Sequence, residues 1–534
     1  MKIFTISEET NIQECANIDN INIFCQYFIH SNNERQREIT KCLKNNVKNK
    51  HITKIYLLNE RIYTDEELDI SSNKIIQINI NRRLQFKDVF EYINEQNIKG
   101  YNIIVNSDIF FKKNIVNIFK SDIHINKKMY ALLRYEYNVL EPEKTFLFGP
   151  RGDSQDTWII HSNFNIGEKE CKIFNFEFGK PGCDNKIIYL FSLLGYNVIN
   201  DPTFIKSYHI HETNIRNYSS KDLIKPPYEF IFPKDKFEMC KHTNNLEICY
   251  NPKYNHKISN HVLFNYINEK VENNKPFIIP LVSGIENQFA IYSMMTKISE
   301  YKKHFSEIQK FFDSQKNDLK KYTGIKVSCN NSIKKYSKLY LEAFKNCEIY
   351  ASWAPFDQFY NNHAYSHQLL DNTFNNKKTL HASVFDIFHY IYGIPWTFAL
   401  KNKRILIISK FENYIQEKIK NRKDIYGIDL FPNCDILTLS FPELTDSEES
   451  NDFDIVLNDF KEKINNIKDN YDIALVSCGG YGNLVCSYIY TSGKSAIHVG
   501  DVLQMYWGII GKKWSDEIPD VIELFLNNMW TQIK

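Results

Sequence analysis

Three short segments in the first half of the chain carry side chains suited to holding a cation and moving a proton. Asn106-Ser107-Asp108 follows the apolar run Ile103-Ile104-Val105 and precedes Ile109-Phe110-Phe111. A carboxylate placed directly after a buried strand points to the ligand edge of an open α/β sheet. Hard divalent ions use one or two carboxylates and complete their shell with substrate phosphates and water. Asp108 with a diphosphate therefore suffices for Mn²⁺ or Mg²⁺, while an Asp in this place also serves simply to cap a turn. The second segment, Gly179-Lys180-Pro181-Gly182-Cys183-Asp184-Asn185, is a tight loop that brings Asp184 to the start of a predicted helix. There a carboxylate is either an N-cap, worth about 1 kcal/mol, or a general base at the mouth of a site. The third, Tyr208-His209-Ile210-His211, ends a strand-like run after Pro202. Imidazoles at i and i+2 on a strand share a face and suit a metal pair, and one ligand beside one surface histidine fits the same spacing.

The elements that must position these residues follow from the hydrophobic pattern. From Ile21 to His211 short β-rich runs alternate with helical ones, with strands expected at 23–28, 54–58, 74–80 and 102–105 and helices at 35–45 and 86–95. That alternation predicts βαβ units and a mainly parallel sheet. It fades into sequence containing Pro, Asn and Lys up to about Asn260. The expected organisation is a first domain over 1–225, a linker over 226–261 and a second domain over 262–534. The second half opens helix-rich and returns to alternation from Lys403. There the apolar run at 472–477 leads into Cys478-Gly479-Gly480-Tyr481-Gly482 and a helix, and Ser495-Val499 leads into Gly500-Asp501. The expected fold class is α/β with two Rossmann-like domains, the second carrying added helices.

Bulk properties exclude several classes. A chain of 534 residues exceeds the roughly 250 to 300 residues at which single cores stop growing. The hydrophobic share of 43% and charged share of 24% are those of a globular protein. A formal charge of +2 offers no global field for nucleic acid. The twelve cysteines form no CxxC pair and no cluster with zinc spacing, which predicts free thiols. No run reaches the roughly 18 to 20 apolar residues of a membrane span, and Met1-Lys2-Ile3-Phe4-Thr5 leads into polar sequence, so a cytoplasmic location is expected.

The order of Asn106-Ser107-Asp108, Asp184 at a helix start and His209-Ile210-His211 resembles the GT-A glycosyltransferases, in which a DxD motif, an xED motif and a late histidine follow in that sequence. The resemblance covers about residues 20 to 220. It implies that Asp108 binds the metal and the donor diphosphate, that Asp184 is the catalytic base of an inverting transfer, and that His209 or His211 is a further metal ligand. Asn106 stands where the motif's first Asp would be and is carried over as donor-binding. Arg134 and Arg82-Arg83 are read as donor-phosphate contacts or as solvated surface. Asp156 and Trp158, in the polar loop Ser154-Gln155-Asp156-Thr157-Trp158, are read as acceptor contacts, with core packing the other reading of Trp158.

Residues 262 to 520 resemble a second glycosyltransferase type, the GT-D fold, through Gly284-Ile285-Glu286, Lys403-Arg404-Ile405-Leu406-Ile407, the turn Gly479 to Gly482, and Ala496-Ile497-His498-Val499-Gly500. This resemblance implies donor binding by Glu286, Gly479, Gly480, Gly482 and His498. Gly284 replaces the Asp of the GT-D DxE motif and leaves Glu286 alone. Tyr350-Ala351-Ser352-Trp353 and Asp357 are assigned to the acceptor groove, core packing being the other reading of Trp353. Together the resemblances imply a transferase of hexosyl type taking a nucleotide-sugar, a UDP-sugar by preference, to a glycan acceptor. Two active domains, one active domain beside a binding domain, and a scaffold with both sites degraded are the readings carried forward. The domain pairing, in a chain whose composition has the bias of an AT-rich genome, resembles proteins of large DNA viruses and bacteria.

Overall fold

The computed structural model describes residues 20–149, 151–213, 219–234, 252–254, 256–354, 357–389, 391, 393–444 and 451–533. The chain divides into two compact units, Met1–Tyr250 with Asp516–Leu524, and Asn251–Ser515 with Phe525–Lys534. The division falls inside the 226–261 segment expected as a linker. The start of that segment packs into the first unit, where Phe230 and Ile231 are buried and the Ile231 carbonyl accepts from Gln155 and Asn200.

The first unit is an α/β layer built on β1 (Ile21–Cys25), α1 (Asn33–Lys48), β2 (Lys54–Asn59), β3 (Ile75–Asn79), α2 (Phe86–Glu95) and β4 (Tyr101–Val105). Helix α1 starts where Asn32 accepts from the Arg35 backbone N–H at 2.9 Å, with Glu34 in the first turn and Lys48 in the last, each favourable to the helix dipole. After β4 come β5 (Ile109–Phe111), β6 (Lys128–Leu133), β7 (Tyr135–Glu136), β8 (Phe146–Leu147) and β9 (Gln155–His161). Helix α3 (Cys183–Leu193), β10 (Asn197–Ile199) and β11 (Ser207–His209) complete the unit.

The main sheet runs β10-β6-β9-β4-β1-β2-β3. Only β9 is antiparallel to its neighbours β4 and β6. All five residues of β1 and of β4 are buried, as strands covered on both faces require. From β1 the chain moves outward through β2 and β3 and then crosses to β4 on the other side of β1. The carboxyl ends of β1 and β4 therefore flank a topological switch point, where open α/β sheets bind ligands. A small pocket lies there, lined among others by Gln26 and Tyr27 after β1 and by Asn106 and Ser107 after β4.

A second, small sheet has the order β5-β11-β7-β8. In it β11 runs antiparallel to β5, with His209 opposite Ile109, and parallel to β7, with His209 opposite Glu136. Of its strands only β11 falls on a run expected as strand-like, because the others are two or three residues long and show no periodicity.

The second unit opens with helix α4 (His256–Glu272), followed by β12 (Ile278–Ile279), α5 (Ile285–Met295), α6 (Phe305–Thr323) and α7 (Asn330–Asn346). Two four-residue strands, β13 (Ile349–Ser352) and β14 (Lys378–His381), interrupt the helix-rich stretch and pair in parallel. The alternating region then supplies β15 (Arg404–Ser409), β16 (Asp435–Ser440), α8 (Phe453–Asn466), β17 (Ile473–Ser477), α9 (Gly482–Thr491) and β18 (Ser495–His498). These form an all-parallel sheet of order β12-β18-β17-β15-β16, with a switch point between β15 and β17. The helix expected at 412–420 ends at Lys418, and a separate short helix follows at Arg422–Tyr426. Among the described residues no helix is long and apolar enough to cross a membrane.

Trp158 takes the core position, not the acceptor groove. It is 0% exposed and packs edge-on against Phe86 at 5.0 Å and Phe178 at 6.0 Å. Its place on β9 between β4 and β6 turns the indole into the layer under α2, beyond reach of a sugar at the sheet edge. Trp158→Ala is expected to lower the unfolding free energy of the chain by about 3 to 5 kcal/mol in urea titrations, the cost of truncating a buried Trp. A loss under 1 kcal/mol would show that the indole is not part of the core.

Candidate functional site

The turn after β4 places Asp108 at the carboxyl edge of the main sheet, 7% exposed. The next residue begins β5, so the antiparallel pairing of β5 with β11 carries His209 to Asp108. The Ile210 N–H donates to the Asp108 carbonyl at 3.1 Å, and His209 Nε2 lies 3.1 Å from Asp108 Oδ2. His211, two residues on, stacks its ring on that of His209 with centroids 5.3 Å apart and planes at 14°. One donor atom each from Asp108, His209 and His211 falls within a 4.8 Å span, the only such convergence of His, Cys, Asp or Glu donors among the described residues.

The parallel pairing of β11 with β7 supplies the orienting partner. His209 Nδ1 is 2.9 Å from Glu136 Oε2, which directs Nε2 toward Asp108. A carboxylate behind an imidazole is the usual arrangement for fixing the tautomer and raising the basicity of a metal-binding histidine. Glu136 also accepts from Arg134 Nε at 2.7 Å, and Arg134 Nη1 continues to Asp156. Asp156 Oδ1 in turn accepts from the Asn106 amide at 2.6 Å. At the other end Arg35 Nη2 donates to Asp108 Oδ2, and its Nη1 donates to Glu38 Oε2 at 2.6 Å. The buried groups thus alternate in sign from Glu38 through Arg35, Asp108, His209, Glu136 and Arg134 to Asp156.

This order explains the Asn at position 106. An aspartate there would face the Asp156 carboxylate across 2.6 Å, whereas the amide donates to it. Arg134 pairs with Glu136 and Asp156, and Asp156 accepts from both Arg134 and Asn106. Arg82 pairs with Asp88, and Arg83 donates to the Phe178 carbonyl at 3.0 and 2.7 Å. Arg35, Glu38 and Glu136 were not singled out from sequence. Arg35 and Glu38 read as surface of α1, and Glu136 sits in a two-residue strand.

Electrostatics follow from the geometry. Burial penalises the charged Asp108, but His209 and Arg35 overcome this and hold its carboxyl well below the usual range. Burial lowers His209, yet Asp108 and Glu136 outweigh it and raise the imidazole to about 9. Glu136, despite burial, is held at about 2 by His209 and Arg134. Burial, Arg35 and His209 lower His211. The donor set fits a divalent cation of the Mn²⁺ type, with one carboxylate and two imidazoles. Asp108 Oδ1 and His211 Nδ1 are buried and have no hydrogen-bond partner among the described residues, His211 Nδ1 lying 4.0 Å from Glu38 Oε2.

Asp184 lies in the first turn of α3, but the N-cap position is held by Gly182 and no side chain caps the helix. Its Oδ1 accepts from the adjacent Asn185 N–H at 3.1 Å. Burial, then the charges of Asp156 and Asp153, raise its carboxyl to about 7. Asp184 is therefore tied electrostatically to the Asp156 end of the network.

No protein-family model matches the chain, and no curated protein is similar in sequence. Solved structures similar to it include GalNAc-T7 with UDP, GalNAc and Mn²⁺, at 12% identity and a TM-score of 0.26, covering 37% of this chain and 45% of that one. The chain thus spans less than half the length of that protein. A domain of unknown function 1792, described as having a distinct glycosyltransferase fold, matches at 11% identity and a TM-score of 0.28 over 49% of this chain and 85% of its own. The mannosyltransferase PcManGT from Pyrobaculum calidifontis, with GDP-Man and Mn²⁺, matches at 10% identity and a TM-score of 0.24 over 38% and 59%. Likeness at this level carries no functional argument, which rests on the side chains.

In the second unit the expected residues Glu286, Gly479, Gly480, Gly482 and His498 follow or end strands of the parallel sheet and are closely packed. Gly482 begins α9 directly against His498, where a Cβ would lie 2.0 Å from the ring Nε2. Gly480 likewise admits Thr323 and Ile325. His498 Nδ1 bonds Asn483 Oδ1 at 3.0 Å, and burial lowers the ring to about 4, so it is neutral. Burial raises Glu286 to about 7, and Asp501 adds to this, so near neutral pH it is substantially protonated and a poor cation ligand. Trp353 Nε1 donates to the Val282 carbonyl at 3.2 Å, and Asp357 pairs with His381 at 3.1 Å.

Glu136→Gln is expected to weaken Mn²⁺ binding about 10- to 100-fold, the usual cost of losing the partner that orients a histidine ligand. Titration followed by the electron paramagnetic resonance of free Mn²⁺ reads this directly, and an unchanged affinity would remove Glu136 from the site.

Proposed function

We propose that the first unit is a cation-dependent glycosyltransferase that moves a sugar from a nucleotide-sugar to an acceptor hydroxyl with inversion at the anomeric carbon. The observation that carries this reading is the convergence of Asp108, His209 and His211 beside a sheet switch point, with Asp184, a carboxyl raised to about 7, linked to the same charge network. Asp108, His209 and His211 would hold the cation, with Mn²⁺ preferred to Mg²⁺ because two of three donors are imidazole nitrogens. The bound cation supplies charge neutralisation for the departing diphosphate. Asp184 takes the proton of the acceptor hydroxyl as its oxygen bonds the anomeric carbon and the bond from that carbon to the nucleoside diphosphate breaks. A UDP-sugar and a glycan acceptor, in a cytoplasmic setting, complete the proposal.

For the second unit, the protonated, buried Glu286 and the lack of a second donor cluster among the described residues favour a metal-independent or glycan-binding role beside one catalytic unit. The two-histidine, one-carboxylate set also suits ferrous iron. Nucleotide-independent Fe²⁺ binding without sugar transfer would assign the site to that chemistry.

The base must be unprotonated to act, and its raised affinity keeps the proton on below about pH 7. Turnover with Mn²⁺ and UDP-sugars should therefore rise about tenfold per pH unit up to about 7 and level off above it. Asp184→Asn should reduce kcat by about 10² to 10⁴, the range for general-base loss, and leave UDP and Mn²⁺ binding intact. Full activity in a folded Asp184→Asn variant, or a flat profile between pH 5 and 7, would eliminate Asp184 as the base.

A further inference from the structure

We propose that Arg35 makes cation and nucleotide binding interdependent: its guanidinium occupies Asp108 until a diphosphate draws it away. The inference rests on reading Asp108, His209 and His211 as the cation site of a nucleotide-sugar enzyme.

Arg35 belongs to the first turn of α1, the helix after β1, and Asp108 to the turn after β4, so the two residues stand on either side of the switch point. The side chain of Arg35 is 12% exposed, and both of its Nη atoms donate inside the cluster. Nη2 donates to Asp108 Oδ2, the oxygen that also faces His209 Nε2, while Nη1 donates to Glu38 Oε2 at 2.6 Å and reaches the Ile210 carbonyl at 3.4 Å. A divalent cation arriving alone meets a fixed positive charge already bonded to the one carboxylate among its ligands. In a site shielded from water that repulsion is poorly screened.

A diphosphate changes the balance. The guanidinium fork matches two phosphate oxygens as well as it matches a carboxylate. By turning to the phosphate, Arg35 keeps a counter-charge and frees Asp108 Oδ2, so that both Asp108 oxygens face the cation. Glu38 provides the pivot. Its Oε1 accepts from the Glu212 and Thr213 N–H groups at 2.6 and 2.9 Å, which holds it to the chain just after His211 while Arg35 changes partner. Coupling of this kind is reciprocal, so the cation strengthens nucleotide binding by the same factor.

The test is a titration of the full chain with Mn²⁺, free ion being read by paramagnetic resonance, with and without saturating UDP. In the wild-type protein UDP should tighten Mn²⁺ binding at least tenfold. Arg35→Gln should bind Mn²⁺ alone at least fivefold more tightly than wild type, with the UDP enhancement reduced below threefold. Arg35→Lys, which keeps the charge, should bind Mn²⁺ alone as wild type does. Wild-type behaviour of a folded Arg35→Gln variant, or tighter binding by Arg35→Lys, would overturn the inference and leave the functional reading in place. Should Arg35→Gln not fold, the Arg35→Lys arm decides alone. No Mn²⁺ binding by wild-type protein even with UDP would overturn both.

Discussion

The pairing of β11 between β5 and β7 is the constraint on which the first unit's chemistry depends. Three residues of strand, in one register, set His209 opposite Ile109 on one side and Glu136 on the other. A shift by one residue would turn the imidazole to the opposite face of the small sheet. It would also separate both Asp108 and Glu136 from the imidazole, leaving each buried carboxylate with a single arginine as counter-charge. Removing one member of a buried pair typically costs 3 to 5 kcal/mol, so register and charge pairing enforce each other. The sign alternation from Glu38 to Asp156 is what allows so many ionised groups to share a volume largely closed to water.

That network also accounts for a departure from the motif the sequence resembles. Asparagine at 106 donates its amide to the Asp156 carboxylate, where an aspartate would set a second negative charge against it. Asp184, close enough to feel Asp156 and Asp153, gains its proton affinity from the same group of acids.

The second unit packs the carboxyl edge of its parallel sheet closely. Its glycine-rich turn satisfies the close approach of α9 to His498 and of α6 to the turn, and its buried histidine and glutamate are neutral or nearly so. Glycine after a parallel strand is required equally by a phosphate and by a neighbouring ring, and only the neighbour actually present distinguishes the two.

The α/β class and most of the large elements were legible in sequence because hydrophobic period reports burial directly, as in Phe86–Glu95, where predicted and observed helix coincide. Asp108, His209 and His211 were legible as candidates too, and the fold brings one donor atom of each together. What only the tertiary structure decided is who stands beside them. Arg35 and Glu136 carried no sequence signal, and Trp158 was open between an acceptor contact and core packing. Each role was set by partners tens to more than a hundred residues away, through a strand register that local sequence does not encode.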